Sequence, residues 1–171
     1  MYLIGGTMGA GKTSACKALK SKLDRSVFLD GDWCWSMNPF VVTEETKQMV
    51  IDNICFLLNN FIKCSAYDHI IFCWVMHEQS IIDTILSRLD LTDCIVHAIS
   101  LICSAESLQK RISNDITAGI RTQSDLERSL LRLPLYEHLA TQKLDVSNLT
   151  PDEAAEQILV LCKTGKIYSP S

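Results

Sequence analysis

The chain has 171 residues, of which 47% are hydrophobic and 21% charged, with a formal net charge of −4 at pH 7. This length and composition predict one domain with an ordinary core. The negative charge argues against general binding to nucleic acid or to an acidic membrane, and no apolar stretch reaches the roughly 20 residues of a membrane helix. We therefore expect a cytoplasmic protein, monomeric or homodimeric, with no nucleic-acid or membrane partner.

Strands and helices are predicted to alternate along the whole chain. Short apolar runs predict five strands: 2–5, 27–29, 70–76, one within 94–103, and 144–146. Helical spacing and capping residues predict the helices: 13–23, one after Thr43, 80–89, 104–113, one from a capping box at 124–127, and one from Thr150 and Pro151. This order predicts a single α/β domain over residues 1–165, with a parallel sheet and right-handed crossovers.

Two segments are expected to be less ordered than the rest. The polar stretch 114–123 contains Gly119 and separates two predicted helices, so we interpret it as a mobile loop. Residues 166–171 end the chain with no periodic pattern, and we expect a frayed tail there.

The strongest motif is a glycine-rich segment between the first strand and the first helix. Residues 6–13 read Gly-Thr-Met-Gly-Ala-Gly-Lys-Thr and match G-x-x-x-x-G-K-[ST] in full. In this motif backbone N–H groups surround phosphate oxygens, the lysine reaches the β- and γ-phosphates, and the hydroxyl binds Mg²⁺. We call residues 6–13 the phosphate loop and predict that it binds ATP with Mg²⁺. The predicted contacts are Gly6, Met8, Gly9, Ala10, Gly11, Lys12, Thr13 and Ser14.

A pair of carboxylates follows the second predicted strand. Ligands of parallel sheets bind beyond the carboxyl ends of the strands, which places Asp30 and Asp32 near the phosphate loop. We expect Asp30 to join Thr13 on the metal side and Asp32 to act as the base toward an acceptor hydroxyl. The two roles can also be exchanged, and a simple polar turn is the alternative to both.

The phosphate loop, Asp30-Gly-Asp32 and the five strand–helix units together resemble the small P-loop kinases. This group includes shikimate kinase, gluconate kinase, adenylylsulfate kinase and chloramphenicol phosphotransferase. The resemblance implies a three-layer α/β/α fold, a five-stranded parallel sheet of order 2-3-1-4-5 and a short lid at about 114–123. It also implies transfer of the ATP γ-phosphoryl group to a small-molecule acceptor, with Lys12 and an arginine of the lid as catalytic groups.

The C-terminal third is similar to shikimate kinase in particular. Arg132-Leu-Pro-Leu-Tyr136 resembles a segment whose arginine contacts the acceptor carboxylate, and 144–151, with Asn148, resembles the segment that lies along the adenine. By the same resemblance, Arg111 stacks on the adenine and Arg121 is the lid arginine that reaches the transferring phosphate. A planar, permanently charged guanidinium suits both tasks.

The sequence departs from these kinases after the third strand. Where shikimate kinases carry a glycine triplet, this chain reads Cys73-Trp-Val-Met-His77, and no Walker B aspartate is present. Neither shikimate nor gluconate is therefore the expected acceptor. The metal is expected to rely on Thr13 and the aspartates after the second strand.

Three side chains are weaker candidates for the acceptor side. Trp33 and Trp35 follow Asp32 directly and either stack on a ring-bearing acceptor, such as a nucleoside or an antibiotic, or cover the edge of the core. His77 either hydrogen-bonds the acceptor or serves the structure alone.

Two functions are compatible with these motifs. The first is a small-molecule kinase acting on an alcohol group. The second is a nucleotide-dependent switch or slow NTPase without an acceptor, which would account for the missing acceptor motifs. The sequence contains no N-K-x-D guanine motif to favour the second.

Overall fold

A computed structural model describes residues 1–164 and Tyr168. The five strands are β1 (Tyr2–Gly6), β2 (Ser26–Asp30), β3 (His69–Cys73), β4 (His97–Ile102) and β5 (Gln142–Asp145). All pair in parallel, in the order β2-β3-β1-β4-β5. The predicted α/β fold and the sheet order 2-3-1-4-5 are confirmed.

Six α-helices cover the sheet. They are α1 (Lys12–Lys22), α2 (Glu44–Lys63), α3 (Gln79–Leu86), α4 (Ala105–Thr117), α5 (Gln123–Arg132) and α6 (Pro151–Thr164). Short 3-10 helices occupy Gly31–Trp35, directly after β2, and Leu133–His138, directly after α5. Within residues 1–164, no helix is both long enough and apolar enough to cross a bilayer.

The side chains of the sheet alternate between two cores. Tyr2 and Ile4 of β1 pack with α1, α4 and α6 on one face. Leu3, between them, packs with α2 and α3 on the other face. This period-two alternation, with both faces buried, gives three layers and explains why the strands read as unbroken apolar runs.

The region predicted as a loop at 114–123 is shorter than expected. Helix α4 continues to Thr117, and Gly119, at φ 70°, follows its end. Helix α5 begins at Gln123, because Thr122 rather than Ser124 caps it: the Thr122 N–H and hydroxyl both donate to Asp125 Oδ2, each at 2.9 Å. Only residues 118–122 are non-helical, and their mobility stays a prediction.

The end of the chain contributes one placed residue. The Tyr168 hydroxyl donates to Asp83 at 3.1 Å and accepts from Gln79 at 2.9 Å. The rest of the tail that was predicted to be frayed, at 166–171, lies outside the described residues.

The N-terminus of α2 is capped by Thr43, as predicted. The Thr43 N–H donates to Thr46 Oγ1 at 2.8 Å, and the Thr46 N–H donates to Thr43 Oγ1 at 3.2 Å. Thr43→Ala removes one of these bonds and should lower the free energy of unfolding by about 1 kcal/mol in urea titrations. The control is Thr117→Ala, whose hydroxyl only donates back to the Ser113 carbonyl within α4. Equal losses in the two variants would contradict the cap.

Candidate active site

Three strands end side by side at the edge of the sheet where the motifs lie. In the parallel register Cys73 of β3 pairs with both Ile4 of β1 and Asp30 of β2. The segments that follow these positions are therefore neighbours: the phosphate loop, the Asp30–Asp32 turn, and Trp74. The Trp74 N–H donates to the Ile4 carbonyl at 3.2 Å, which ties the third segment to the first strand.

Lys12 sits at the start of α1 with its side chain folded over the phosphate loop. Gly11 caps the helix in a left-handed conformation, at φ 91°. The Lys12 ammonium is buried and donates to the Thr7 carbonyl at 3.1 Å. Burial lowers its pKa, while the carboxylates of Asp32 and Asp30 act in the opposite direction. A buried cation held among main-chain dipoles is suited to an anion that enters the loop.

Thr13 and the buried Asp30 form the oxygen-rich part of the site. The Thr13 hydroxyl donates to Asp30 Oδ2 at 2.7 Å. The other carboxylate oxygen of Asp30 accepts the Asp32 N–H at 3.1 Å, which fixes the turn after β2. Hydroxyl and carboxylate oxygens are the donors that Mg²⁺ takes in phosphate sites, so this pair fits the predicted metal.

Asp32 differs from Asp30 in being exposed, at the wall of a cavity. Loss of hydration raises its pKa; Lys12 opposes that shift and Asp30 adds to it. The Trp74 side chain beside Asp32 also favours its ionised form and so opposes the rise in pKa. Because the carboxylate keeps access to the cavity, it can accept a proton from a bound molecule.

Gly31, between the two aspartates, is set by Trp74. A Cβ atom at this position would lie 2.5 Å from Cγ of the Trp74 indole. The missing side chain lets the indole pack against the turn, which brings it next to Asp32.

The segment between α4 and α5 covers the phosphate loop. A Cβ atom on Gly9, which has φ 82°, would lie 2.6 Å from Ile112 of α4 and 3.1 Å from the Arg121 guanidinium. Arg121 forms an ion pair with Asp115 at 3.2 Å. The predicted lid arginine therefore lies directly over the loop, held by a carboxylate that the sequence analysis did not single out.

Helix α5 is joined to the phosphate loop by one buried hydrogen bond. The Thr7 hydroxyl donates to the Ser129 carbonyl at 3.2 Å. This contact places Arg128 and Arg132, one turn apart on α5, along the same cavity. Arg128 is ion-paired with Asp125 at 3.2 Å, whereas Arg132 has no ion pair within the described part of the chain.

One cavity of about 890 Å³ joins most of the predicted site residues. Those that line it are Met8, Gly9, Gly11, Lys12, Thr13, Ser14, Asp32, His77, Arg121 and Arg132. Its volume is in the upper part of the range of small-molecule sites. The cavity extends from the phosphate loop to the end of β3 and to α5.

A smaller pocket of about 200 Å³ lies on the other side of the phosphate loop. Ala10 and Arg111 line it, together with Val146 and Leu149 of the segment after β5. Arg111 donates to the Ala10 and Ser147 carbonyls at 3.3 and 3.2 Å. Asn148, which was predicted to contact the nucleotide, is exposed and is not among the lining residues. Gly6, the first of the predicted phosphate-loop contacts, is the last residue of β1.

The tryptophans after β2 and β3 separate into different environments. Trp35 and Trp74 line the large cavity. Trp33 does not; it is 55% exposed, and its ring packs edge-on against Phe28, with centroids 5.3 Å apart. The 3-10 helix over Gly31–Trp35 accounts for this, because successive residues of such a turn point in different directions. Of the two tryptophans predicted as acceptor contacts, Trp35 therefore lies at the cavity and Trp33 does not.

Trp74 is a cavity residue that the sequence analysis noted only as a departure from the glycine triplet. The sequence did carry a signal for Trp74, since it directly follows a buried central strand. Ligands of parallel sheets bind beyond the carboxyl ends of such strands. His77 lies three residues further on, partly exposed, with its Nε2 3.5 Å from Glu78. Loss of hydration lowers the His77 pKa and Arg132 adds to the effect, so its neutral form is favoured.

Sequence comparison gives the family. Residues 3–130 match the AAA domain family. The chain belongs to that family. No curated protein matches this chain in sequence.

Solved structures with a similar fold cover almost all of this AAA domain chain. The tunicamycin resistance protein of Deinococcus radiodurans has a TM-score of 0.69 and 17% identity, over 99% of this chain and 98% of that one. A gluconokinase from Sinorhizobium meliloti has a TM-score of 0.68 and 17% identity, over 93% and 89%. Shikimate kinase from Acinetobacter baumannii, in complex with shikimate, has a TM-score of 0.61 and 22% identity, over 96% and 94%. The predicted resemblance to small P-loop kinases is confirmed, and at these identities it establishes the fold.

Gly9 offers a test of how closely α4 and Arg121 cover the phosphate loop. Gly9→Ala should weaken ATP binding more than about ten-fold, because its Cβ would overlap Ile112 while the backbone keeps a left-handed φ. Isothermal titration calorimetry with ATP and Mg²⁺ measures the change.

The matched control for Gly9 is Gly119→Ala, which has φ 70° and no heavy atom within 4 Å of the added Cβ. Both variants carry backbone strain, but only Gly9→Ala should lose both ATP affinity and several kcal/mol of stability. Similar behaviour of the two glycines would show that packing against Ile112 does not constrain Gly9.

Proposed function

We propose that the protein is an ATP-dependent phosphotransferase that moves the γ-phosphoryl group of ATP to a hydroxyl of a small molecule. The observation that carries this proposal is the single cavity that connects the phosphate loop with Asp32, His77 and Arg132. A nucleotide site alone would need only the phosphate-loop end. The cavity continues past Asp32 to Trp74, His77 and Arg132, which is where a second substrate would bind next to the phosphate loop.

The donor end holds the positive charge that phosphoryl transfer requires. Lys12 lies inside the phosphate loop, and the Arg121 guanidinium lies over Gly9. Both would face the negative charge that spreads over the transferring group in the transition state. Thr13 and Asp30 would hold Mg²⁺, which supplies charge neutralisation and orientation of the phosphates. Arg111, beside the smaller pocket, would contact the adenine.

Asp32 is the proposed base. An acceptor hydroxyl oxygen attacks the γ-phosphorus, its proton passes to the Asp32 carboxylate, and the bond from phosphorus to the β,γ-bridging oxygen breaks to release ADP. Asp30 is a poorer candidate because its two oxygens are already engaged by Thr13 and by the Asp32 N–H. This difference favours the predicted division of roles over its reverse.

The acceptor end is proposed to fix an anionic group through Arg132. Its guanidinium lines the cavity without an ion-pair partner among the described residues, next to a His77 whose neutral form is favoured. A guanidinium without such a partner can form bidentate hydrogen bonds to a carboxylate or a phosphate. His77 would add one hydrogen bond.

A nucleotide-dependent switch remains the second candidate, and a turnover screen separates the two. Purified protein with ATP and Mg²⁺ is incubated with nucleosides, sugars, hydroxy acids and aromatic alcohols, and ADP formation above the acceptor-free rate is measured. Stimulation by one class supports the kinase. Unstimulated slow hydrolysis with every class supports the switch.

Asp32→Asn should reduce kcat by about 10²- to 10⁴-fold, the range of a lost general base. Its ATP affinity should stay within about two-fold, because Asp32 lies beyond the loop at the acceptor side. Asp24→Asn is the matched control: this exposed aspartate precedes β2, at the opposite end of the strand. Undiminished turnover in Asp32→Asn would remove Asp32 from the role of base.

The pH dependence of kcat should report the same carboxylate. Loss of hydration raises the Asp32 pKa above its ordinary value of 3.8, so the base becomes protonated at a pH where other aspartates stay ionised. We expect kcat to fall as the pH drops through this raised pKa. His77→Gln should keep that acid limb. A limb that disappears in His77→Gln would assign the proton transfer to the histidine instead.

A further inference from the structure

The acceptor end of the cavity is walled by three aromatic side chains. Trp35 follows the turn after β2, Phe40 lies in the segment before α2, and Trp74 follows β3; all three line the cavity. We call them the aromatic wall. Aliphatic side chains of Val42, Ile51, Val75 and Ile81 continue the same surface. The space beyond Asp32 is therefore mainly apolar.

Part of this apolar surface is open to water. Phe40 is 65% exposed and Val42 is 53% exposed, although both line the cavity. The Phe40 ring is tilted by 49° against Trp35, with centroids 5.7 Å apart, so the two rings form an angled pair instead of a closed stack. Exposed apolar side chains that converge on one cavity are typical of a surface that a ligand covers.

The indole of Trp74 brings the aromatic wall up to the reacting end. Gly31, the residue before Asp32, leaves room for that indole, which places the Trp74 side chain beside Asp32. A ring lying against Trp74 would therefore have its substituents within reach of the Asp32 carboxylate. The aromatic wall and the proposed base would then contact the same bound molecule.

Two of the three cationic side chains at this end have an acidic neighbour. Lys47 is paired with Glu44 at 2.8 Å, and Arg128 with Asp125 at 3.2 Å. Arg132 remains for one anionic group, and the polar side chains of His77, Ser80 and Thr84 line the cavity as well. The hydroxyls of a sugar acid that face the aromatic wall and its aliphatic neighbours would still lose their hydration without replacement hydrogen bonds there, which is unfavourable.

We infer that the acceptor is an alcohol that carries a planar apolar ring, and that Trp35, Phe40 and Trp74 bind this ring while Asp32 faces its hydroxyl. The inference rests on the proposed kinase function for the identity of Asp32 as the base. It concerns the acceptor class alone and can be tested by binding, without turnover.

Three probes of similar size separate the candidate chemistries. They are 4-(hydroxymethyl)benzoate, its saturated analogue 4-(hydroxymethyl)cyclohexanecarboxylate, and gluconate. All three have a carboxylate and a hydroxyl, and only the first has a planar ring. Isothermal titration calorimetry or ligand-detected NMR, without ATP, should give the highest affinity for the benzoate, about ten-fold above gluconate, with the saturated ring between them.

Two wall variants test the location. Trp35→Leu and Phe40→Leu keep apolar bulk and remove the aromatic ring, and each should weaken binding of 4-(hydroxymethyl)benzoate about five- to ten-fold, and that of the saturated analogue less. Trp33→Leu is the matched control, because this tryptophan does not line the cavity, and it should leave the affinity within about two-fold. Trp74 is left unchanged because it also contacts Asp32. Unaltered ATP–Mg²⁺ affinity in each variant checks that the fold is intact.

Three results would overturn the inference: gluconate binding as tightly as the benzoate, equal losses in Trp33→Leu and Trp35→Leu, or no binding of the benzoate up to about 10 mM. The proposed function fails separately. If the benzoate binds at the wall but no ring-bearing alcohol accepts phosphate, the kinase proposal falls and the ring site stands. If gluconate is phosphorylated and the benzoate binds no more tightly than gluconate, the kinase proposal stands and the ring site falls.

Discussion

The parallel register at the ends of β2, β3 and β1 is the constraint on which the rest of the site depends. Because Asp30, Cys73 and Ile4 lie side by side, the chain must leave the sheet three times within one small region. Each exit brings a different chemistry: main-chain N–H groups, a pair of carboxylates, and an indole. The hydrogen bond from Thr13 to Asp30 then joins the first two. No long loop is needed to assemble the site, since the strands themselves bring its parts together.

Burial places the two aspartates after β2 in different environments. Asp30 is 4% exposed and has both oxygens hydrogen-bonded, so it is a fixed part of the fold. Asp32, two residues later, keeps its carboxylate at the cavity with a raised pKa. The same contrast applies to the arginines. Arg121 and Arg128 are held by neighbouring carboxylates, whereas Arg132 has no ion pair with any residue that the structure describes. Groups that the fold leaves unpaired are the ones available to a ligand.

Local patterns predicted most of the elements, because their signals act over a few residues. Thr43, Ser104 and Thr150 were predicted as caps, and each forms the expected hydrogen bond. The boundaries of α4 and α5 were wrong, since Thr122 and Ser124 offer competing capping signals and only the packed chain selects between them. The strand β3 also ended at Cys73, earlier than its apolar run suggested, because Trp74–Met76 turn away toward the cavity and the core.

The sequence by itself determined the phosphate loop of this protein, because the motif is contiguous and the groups that it would offer to a phosphate belong to residues close together in the chain. It also determined the alternation of strands and helices, which follows from hydrophobic period. Tertiary structure decided the end of the cavity that we propose for the acceptor. Trp35, Trp74, Asp115 and Arg132 are distant in sequence and share a cavity only after the sheet and α5 have packed. The exclusion of Trp33 was decided in the same way, by the direction of a single 3-10 turn that no residue spacing reveals.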